Sequence, residues 1–315
     1  MSIKLLRKSL TLFATLLLVA CGGGGGGGGD DDDSGVTYTG LTTPAVITNA
    51  NAKTLAEGAL GGSTTGTAFG VVSDEQEVQP DPTILDVARI LSNSVTQLDI
   101  SPSSPILPGA IVTESGSEPC DDDGSISIDI SIDDETFDFF GTFVFINCAE
   151  GGTTINGDAS VSGTFGEFDA LVLDLVFDTL TVVSGAESYT MSGTIDTSAT
   201  ASGATITMDV RSRNNNTQLV EWLNNITISV TGSSPLVMTI TGRYYHPEHG
   251  YVDIVTNTAL QINVADQWPN VGQMTMTGAS GSKTRLTVID NTQYTLEVDA
   301  DGDDIYETST LEDWG

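Results

Sequence analysis

From about residue 111 onward the hydrophobic positions recur with a period of two. Ile126, Ile128, Ile130 and Ile132 alternate with Ser125, Ser127, Asp129 and Ser131. That places four isoleucines on one face and polar groups on the other, the pattern of a half-buried strand. Asp133-Asp134 supplies turn chemistry before Phe137, Phe139, Phe143 and Phe145 recur within 136–147. Further β-rich stretches follow at 170–183, 205–211, 225–231, 251–256, 259–264 and 285–289, and 218–224 reads as a turn of helix. Four related units begin at Thr153, Tyr189, Met238 and Met274, each running through Thr and an apolar residue to a Gly. Their starts differ by 36, 49 and 36 residues, too irregular for a solenoid. The spacing predicts equivalent strand ends in an antiparallel meander of roughly ten strands.

The preceding segment carries helical spacing. Residues 36–48, with Pro44, read as a single strand or sheet edge. Asn51 is placed to cap a helix with Leu55, Ala56, Ala59 and Leu60 on one side, and Gly61-Gly62 is expected to stop it. Asp81 and Pro82 form an N-cap and first-turn pair for a second helix, whose apolar stripe is Ile84, Leu85, Ala88, Leu91, Val95 and Leu98. Three prolines in 101–108 predict an extended crossing segment. The expected fold is therefore mainly β: an antiparallel meander forming a curved sheet or partly closed barrel over 111–315, with a small helical portion over 36–110. Open sheet edges invite aggregation, so the sheet must close or be covered, and the helices are the natural cover.

Composition narrows the partners. The chain has 315 residues, 10 basic against 43 acidic side chains and a formal charge of −33. Beyond residue 20 the basic residues are Lys53, Arg89, Arg211, Arg213, Arg243, Lys283 and Arg285. Nucleic acid needs clustered Lys and Arg to displace phosphate counterions, so it is excluded as a partner. Hydrophobic residues make up 39% of the chain, enough for a core and too many for a disordered polymer.

The first thirty-five residues read as an address and a tether. Lys4, Arg7 and Lys8 precede an apolar run over 10–20 that is too short to span a hydrocarbon layer of roughly 30 Å as a helix, so 1–20 reads as a secretory signal. It ends in Leu18-Val19-Ala20-Cys21, which resembles the lipobox of bacterial lipoproteins. The resemblance implies cleavage before Cys21 and acylation of its sulfur and amine, with palmitate among the chains. Several acyl chains on one residue exceed the one-chain threshold for reversible membrane binding. Gly22 stands where an inner-membrane retention signal would place Asp, so the resemblance implies an outer-membrane anchor, facing the periplasm or the cell surface. Eight glycines, Gly22 to Gly29, and four aspartates, Asp30 to Asp33, follow. They read as a flexible tether over 21–35 with an r.m.s. reach of about 20 Å. The body beyond it is strongly acidic, so membrane contact is expected through the lipid alone. The whole resembles the β-rich secreted lipoproteins of Gram-negative bacteria, a likeness that implies location and not substrate.

Two further cysteines, Cys120 and Cys148, flank the hairpin expected at 125–147. Export favours a disulfide between them, closing a loop that stabilises by about 3.5 kcal/mol in the chain-entropy model. A metal role for the thiols is the alternative, with no second Cys or His nearby. His246 and His249 are the only histidines and sit in Tyr245-His246-Pro247-Glu248-His249-Gly250-Tyr251. Two imidazoles with Glu248 form a conceivable Zn or Cu site, against which Pro-Glu-His-Gly is turn chemistry between two strands. Glu297, Asp299, Asp301, Gly302 and Asp303, with Glu307 beyond, set oxygens on alternate residues around a glycine, as calcium loops do. Thr308 stands where an EF-hand would place its bidentate Glu, and the flanks read as strands, so a hairpin tip at Asp301-Gly302 competes with calcium.

Catalytic patterns are sparse. Asp174 and Asp178 share a strand face but lie roughly 14 Å apart along it, too far for glycoside hydrolysis. No Gly-x-Ser-x-Gly elbow or phosphate-binding loop occurs. Tyr244, Tyr245, Tyr251, Trp268 and Trp314 either stack on sugars or pack against a curved sheet. The reading is a lipid-anchored, non-catalytic structural or interaction module, calcium-stabilised if the acidic loop is filled, with an envelope protein or a glycan as its partner class. The rival is a carrier holding an apolar ligand in a lipocalin-like or lipoprotein-shuttling half-barrel.

Overall fold

The computed structural model describes residues 35–68 and 111–314, apart from 166–169, 201, 233–234, 264–265 and 267. Fourteen strands form one antiparallel sheet in which every strand pairs with its neighbours in sequence, an uninterrupted meander that does not close. The strands are β1 (Ile111–Pro119), β2 (Asp123–Asp133), β3 (Asp138–Glu150), β4 (Thr153–Phe165), β5 (Leu171–Ser184), β6 (Glu187–Thr200) and β7 (Gly203–Asn214). They continue as β8 (Val220–Thr231), β9 (Leu236–His246), β10 (Gly250–Ile262), β11 (Val271–Thr277), β12 (Lys283–Asp290), β13 (Gln293–Asp299) and β14 (Thr308–Asp313). The mainly-β meander is thus as expected, with more strands than the roughly ten anticipated. Residues 218–224 are not helical: Asn214 to Gln218 make a turn, and β8 begins at Val220.

Alternation sets the two faces. Ile126, Ile128 and Ile130 are buried on β2 against Phe139, Phe143 and Phe145 of β3, while Phe137 sits in the turn and is 54% exposed. The Asp133-Asp134 turn forms as read, because the Asp133 carboxylate accepts the N–H groups of Glu135 and Thr136 at 2.8 and 3.0 Å. One contiguous core lines the inner face from Ile126 to Val298. The Gly-bearing units are not equivalent strand ends. They open β4 and β6, lie inside β9 and close β11. Their shared feature is close approach: at Gly193 and Gly242, both at positive φ, a Cβ would meet the carbonyl of Asp209 at 2.0 Å or of Asn225 at 2.5 Å. The adjoining ladders carry register shifts at 177/180 and at 224/227. Glycine therefore allows neighbouring strands to close up where the sheet bends.

A strap and a helix cover part of the inner face. The strap, residues 35–51, makes one parallel bridge, Pro44 to Tyr251. The Ala45 N–H donates to the Tyr251 carbonyl at 2.8 Å, and the Ala279 N–H donates to the Ala45 carbonyl at 2.7 Å. Ala45 and Ile47 are fully buried there. Asn51 does not cap a helix N–H but faces back, its Oδ1 accepting the Thr48 N–H at 2.8 Å and its Nδ2 donating to the Val46 carbonyl at 3.0 Å. The helix α1 (Ala52–Ala68) buries the expected Leu55, Ala56, Ala59 and Leu60 and packs on β8, β9, β12 and β13. It does not stop at Gly61-Gly62, since glycine keeps its N–H and costs a helix only about 1 kcal/mol. Gly58 is required for docking, because a Cβ there would lie 2.3 Å from the Tyr244 hydroxyl. The second expected helix and the proline-rich crossing fall at 81–108, outside the described residues. No helix among the described residues is long and apolar enough to cross a membrane.

Candidate functional site

The acidic turn between β13 and β14 is built by its own backbone. Asp299 ends β13 with no exposed surface, and its carboxylate accepts two N–H groups, from Gly302 at 2.7 Å on Oδ1 and from Asp304 at 3.0 Å on Oδ2. Asp301 Oδ1 accepts the Asp303 N–H at 3.3 Å, Asp303 Oδ1 the Ile305 N–H at 2.8 Å, and Glu307 Oε2 the Ala300 N–H at 3.0 Å. Asp299, Asp301 and Asp303 thus each accept an N–H two or three residues on, as aspartates do in tight turns, while Asp299 also takes the N–H five residues on and Glu307 closes the loop back to Ala300. Gly302, at φ +80°, lies so near the short 3₁₀ turn 279–281 that a Cβ would meet the Ser280 carbonyl at 2.4 Å. The loop is consequently pinned to the β11–β12 connection.

The result brings one oxygen each of Asp299, Asp301, Asp303 and Glu307 within 4.8 Å of one another, three of the four residues being exposed. A hard divalent cation bound by oxygen ligands suits such a set. Glu297 stands apart from it. Its Oε2 accepts Arg285 Nε at 2.8 Å across the β12–β13 pair, so the strand ladder takes up that carboxylate. β13 and β14 do pair as a hairpin, but they are joined by a loop over 300–307 rather than by a tight tip at Asp301-Gly302 with a strand from Ile305, and the acid cluster lies in that loop.

Cys120 and Cys148 are joined by a disulfide with their Cα atoms 5.4 Å apart. The bridge ties the end of β1 to β3 across β2, and both cysteines are buried. A carboxylate, Glu150, lies with them, but paired thiols are not available as metal ligands.

The histidines occupy the β9–β10 turn. His246 Nδ1 accepts the Glu248 N–H at 3.2 Å, and the imidazoles stack with ring centres 4.5 Å apart. Burial, and then the neighbouring His249, hold the His246 pKa below its ordinary value. Gly250, at φ +92°, admits the strap: a Cβ would meet the Thr43 carbonyl at 2.2 Å. The turn therefore serves docking, and among the described residues His246, His249 and Glu248 do not form a three-ligand metal group.

Asp174 faces Asp196 directly across β5 and β6, a pair the strand spacing of Asp174 and Asp178 did not reveal. Desolvation, and then the Asp174 charge, raise the Asp196 pKa. The aromatics pack mostly on one another. Tyr244 is buried beneath α1, Trp268 stacks on Trp314 at 4.9 Å, and Trp222, Tyr245 and Tyr251 form a row on the outer face that Tyr38 of the strap joins. Burial, with the Tyr245 ring beside it, pushes the Tyr38 phenol up to about 12.

Comparison with known proteins finds no matching family model, no matching curated protein and no matching solved structure.

Proposed function

We propose that the chain is a non-catalytic interaction module of the bacterial outer membrane, tethered by acylated Cys21 through the Gly/Asp-rich segment and braced by calcium at Asp299, Asp301, Asp303 and Glu307. The observation that favours the module over the carrier is the burial of inner-face side chains among the described residues. Phe143, Ile155, Leu180, Ile206, Ile228, Met238, Met274 and Leu286 are each 0% exposed, and α1 lies over β8, β9, β12 and β13. A carrier needs a cavity of a few hundred Å³ on that face. The meander's outward positions are then the surface left for a partner. The lipobox-like Leu18-Val19-Ala20-Cys21 supports the anchor, and the convergence of four acidic oxygens supports the cation.

Three measurements test this reading. Radiolabelled palmitate should enter the wild-type protein and not Cys21→Ala, and the variant should leave the membrane fraction. Native mass spectrometry of the detergent-released protein should show no lipid beyond the covalent chains; a copurifying apolar ligand would support the carrier instead. Millimolar calcium should raise the thermal midpoint of wild type and not that of Asp301→Asn/Asp303→Asn. An unchanged midpoint in wild type would remove the calcium brace.

A further inference from the structure

On the outer face of β10–β12 lies an open groove of about 350 Å³, bordered by Asn257, Gln273, Thr275, Lys283, Arg285 and Tyr306. That volume is at the lower end of small-ligand sites and fits one or two sugar rings. No Asp or Glu is among its lining residues, although the chain carries 43 acidic residues, and two of its ten basic residues meet there, each with one carboxylate behind it, Glu297 on Arg285 and Asp304 on Lys283. Both are held in place. Arg285 donates Nε to Glu297, and its guanidinium lies 3.9 Å from the centre of the Tyr306 ring, so little side-chain freedom remains to be lost on binding. Lys283 pairs with Asp304, whose side chain is 80% exposed. Exchanging one exposed carboxylate for another costs little, because such surface pairs contribute about 0–1 kcal/mol.

The remaining border is uncharged: Asn257, Gln273, Thr275 and Thr277 offer hydrogen-bonding groups, and Val255 is the one aliphatic side chain. Asn257 Oδ1 accepts the Thr275 hydroxyl at 2.6 Å, and Gln273 Nε2 donates to the Thr287 hydroxyl at 3.0 Å. These bonds orient two side-chain amides whose remaining donors and acceptors match hydroxyl groups. The groove crosses three strands, a width of about 10 Å. An acidic peptide would need several apolar pockets for its side chains, whereas amides, hydroxyls, two cations, one ring and a single valine suit a hydroxyl-rich anion, whose C–H face can lie on Val255.

We propose that this groove binds an acidic saccharide, with a carboxylate or sulfate of the glycan between Lys283 and Arg285 and its hydroxyls on Asn257, Gln273 and Thr275. The assignment rests on the interaction-module reading for the existence of a partner and names that partner's chemistry. Full-length protein in detergent is titrated calorimetrically with trigalacturonate, a sulfated galactose trisaccharide, neutral maltotriose and inorganic sulfate. At least one acidic trisaccharide should bind, the two arms telling carboxylate from sulfate as the source, with maltotriose and sulfate weaker by about tenfold or more, as loss of a charged hydrogen bond implies. Lys283→Gln/Arg285→Gln should weaken binding by at least about tenfold. Asn257→Asp, which adds a like charge and leaves both ion pairs intact, should do the same with an unchanged melting midpoint. Equal binding of maltotriose, equal binding of bare sulfate, no binding by either acidic trisaccharide, or full affinity in Asn257→Asp would each overturn the proposal. Failure here with palmitate labelling intact and no copurified lipid would leave the module standing without this ligand.

Discussion

Gly278→Ala isolates the docking of the strap from every other feature of the sheet. Gly278 follows β11 with φ −115°, a backbone that does not require glycine. The obstacle is spatial, because a Cβ there would lie 2.1 Å from the Ala45 carbonyl oxygen and 3.0 Å from Ile47 Cγ1. Backbone cannot rotate away as a side-chain tip does, so the strap must retreat by about 1 Å to reach ordinary contact. The Ala279 N–H to Ala45 bond of 2.7 Å would then stretch beyond hydrogen-bonding distance. The Ala45 N–H to Tyr251 bond of 2.8 Å and the Ile47 N–H to Ser282 Oγ bond of 3.2 Å lie in the same short stretch and would weaken with it. Losing the equivalent of one to two hydrogen bonds costs about 1–2 kcal/mol. Partial exposure of Ile47, whose full burial stabilises by about 1.5–3 kcal/mol, adds about another 1. The expected destabilisation is about 2–3 kcal/mol, which for a domain of this size lowers the melting midpoint by about 4–12 °C. Urea unfolding followed by circular dichroism measures it, and tryptophan emission reports the strap locally, because Tyr38 sits 5.8 Å from the Trp222 ring. Gly116→Ala in edge strand β1 is the control, since no atom lies within 4 Å of its Cβ, and it should stay within about 0.5 kcal/mol of wild type. A Gly278→Ala stability equal to that of the control would refute the claim that the strap is seated by this contact.

Other outcomes follow from single contacts. Gly61→Ala should stabilise by about 0.5–1 kcal/mol in urea, because the residue lies inside α1 with open space at its Cβ; a loss of stability would mean the helix ends there after all. Asp196→Asn should raise the melting midpoint at neutral pH, relieving a directly opposed like-charge pair at about 0.5 kcal/mol. The folded state raises the Asp196 pKa, so wild type regains this stability as pH falls through that raised value, and the gap between the two proteins should close toward acid. A gap that widens on acidification would reverse the assignment. Replacing both Cys120 and Cys148 by Ala should cost about 3.5 kcal/mol in reversible unfolding while the circular dichroism spectrum stays β-rich; unchanged stability would show that the unfolded chain gains nothing from release of the loop.

Much of the fold is visible in the residues themselves. Period-two burial identifies β2 and β3, because a half-buried strand must alternate, and the helical spacing of Leu55, Ala56, Ala59 and Leu60 identifies the docked side of α1. The disulfide is legible because Cys120 and Cys148 flank one hairpin. The acidic turn is legible because aspartates on alternate residues around Gly302 each find a backbone donor locally. All of these are short-range consequences of side-chain chemistry.

What tertiary structure decided are the meetings of residues on different elements. Asp174 meets Asp196 and Arg285 meets Glu297 only once strand register is set, and in the β5–β6 ladder that register shifts beside Gly193. Glu297 looks like a fifth member of the acidic loop in sequence, yet cross-strand pairing assigns it to Arg285. The strap reads as a sheet edge but becomes a wedge, because Gly250 and Gly278, far along the chain, leave room for the backbone at Thr43 and Ala45. Local patterns specify which face of an element is apolar. Which partner fills that face is set by distances between segments hundreds of residues apart, and those exist only in the folded sheet.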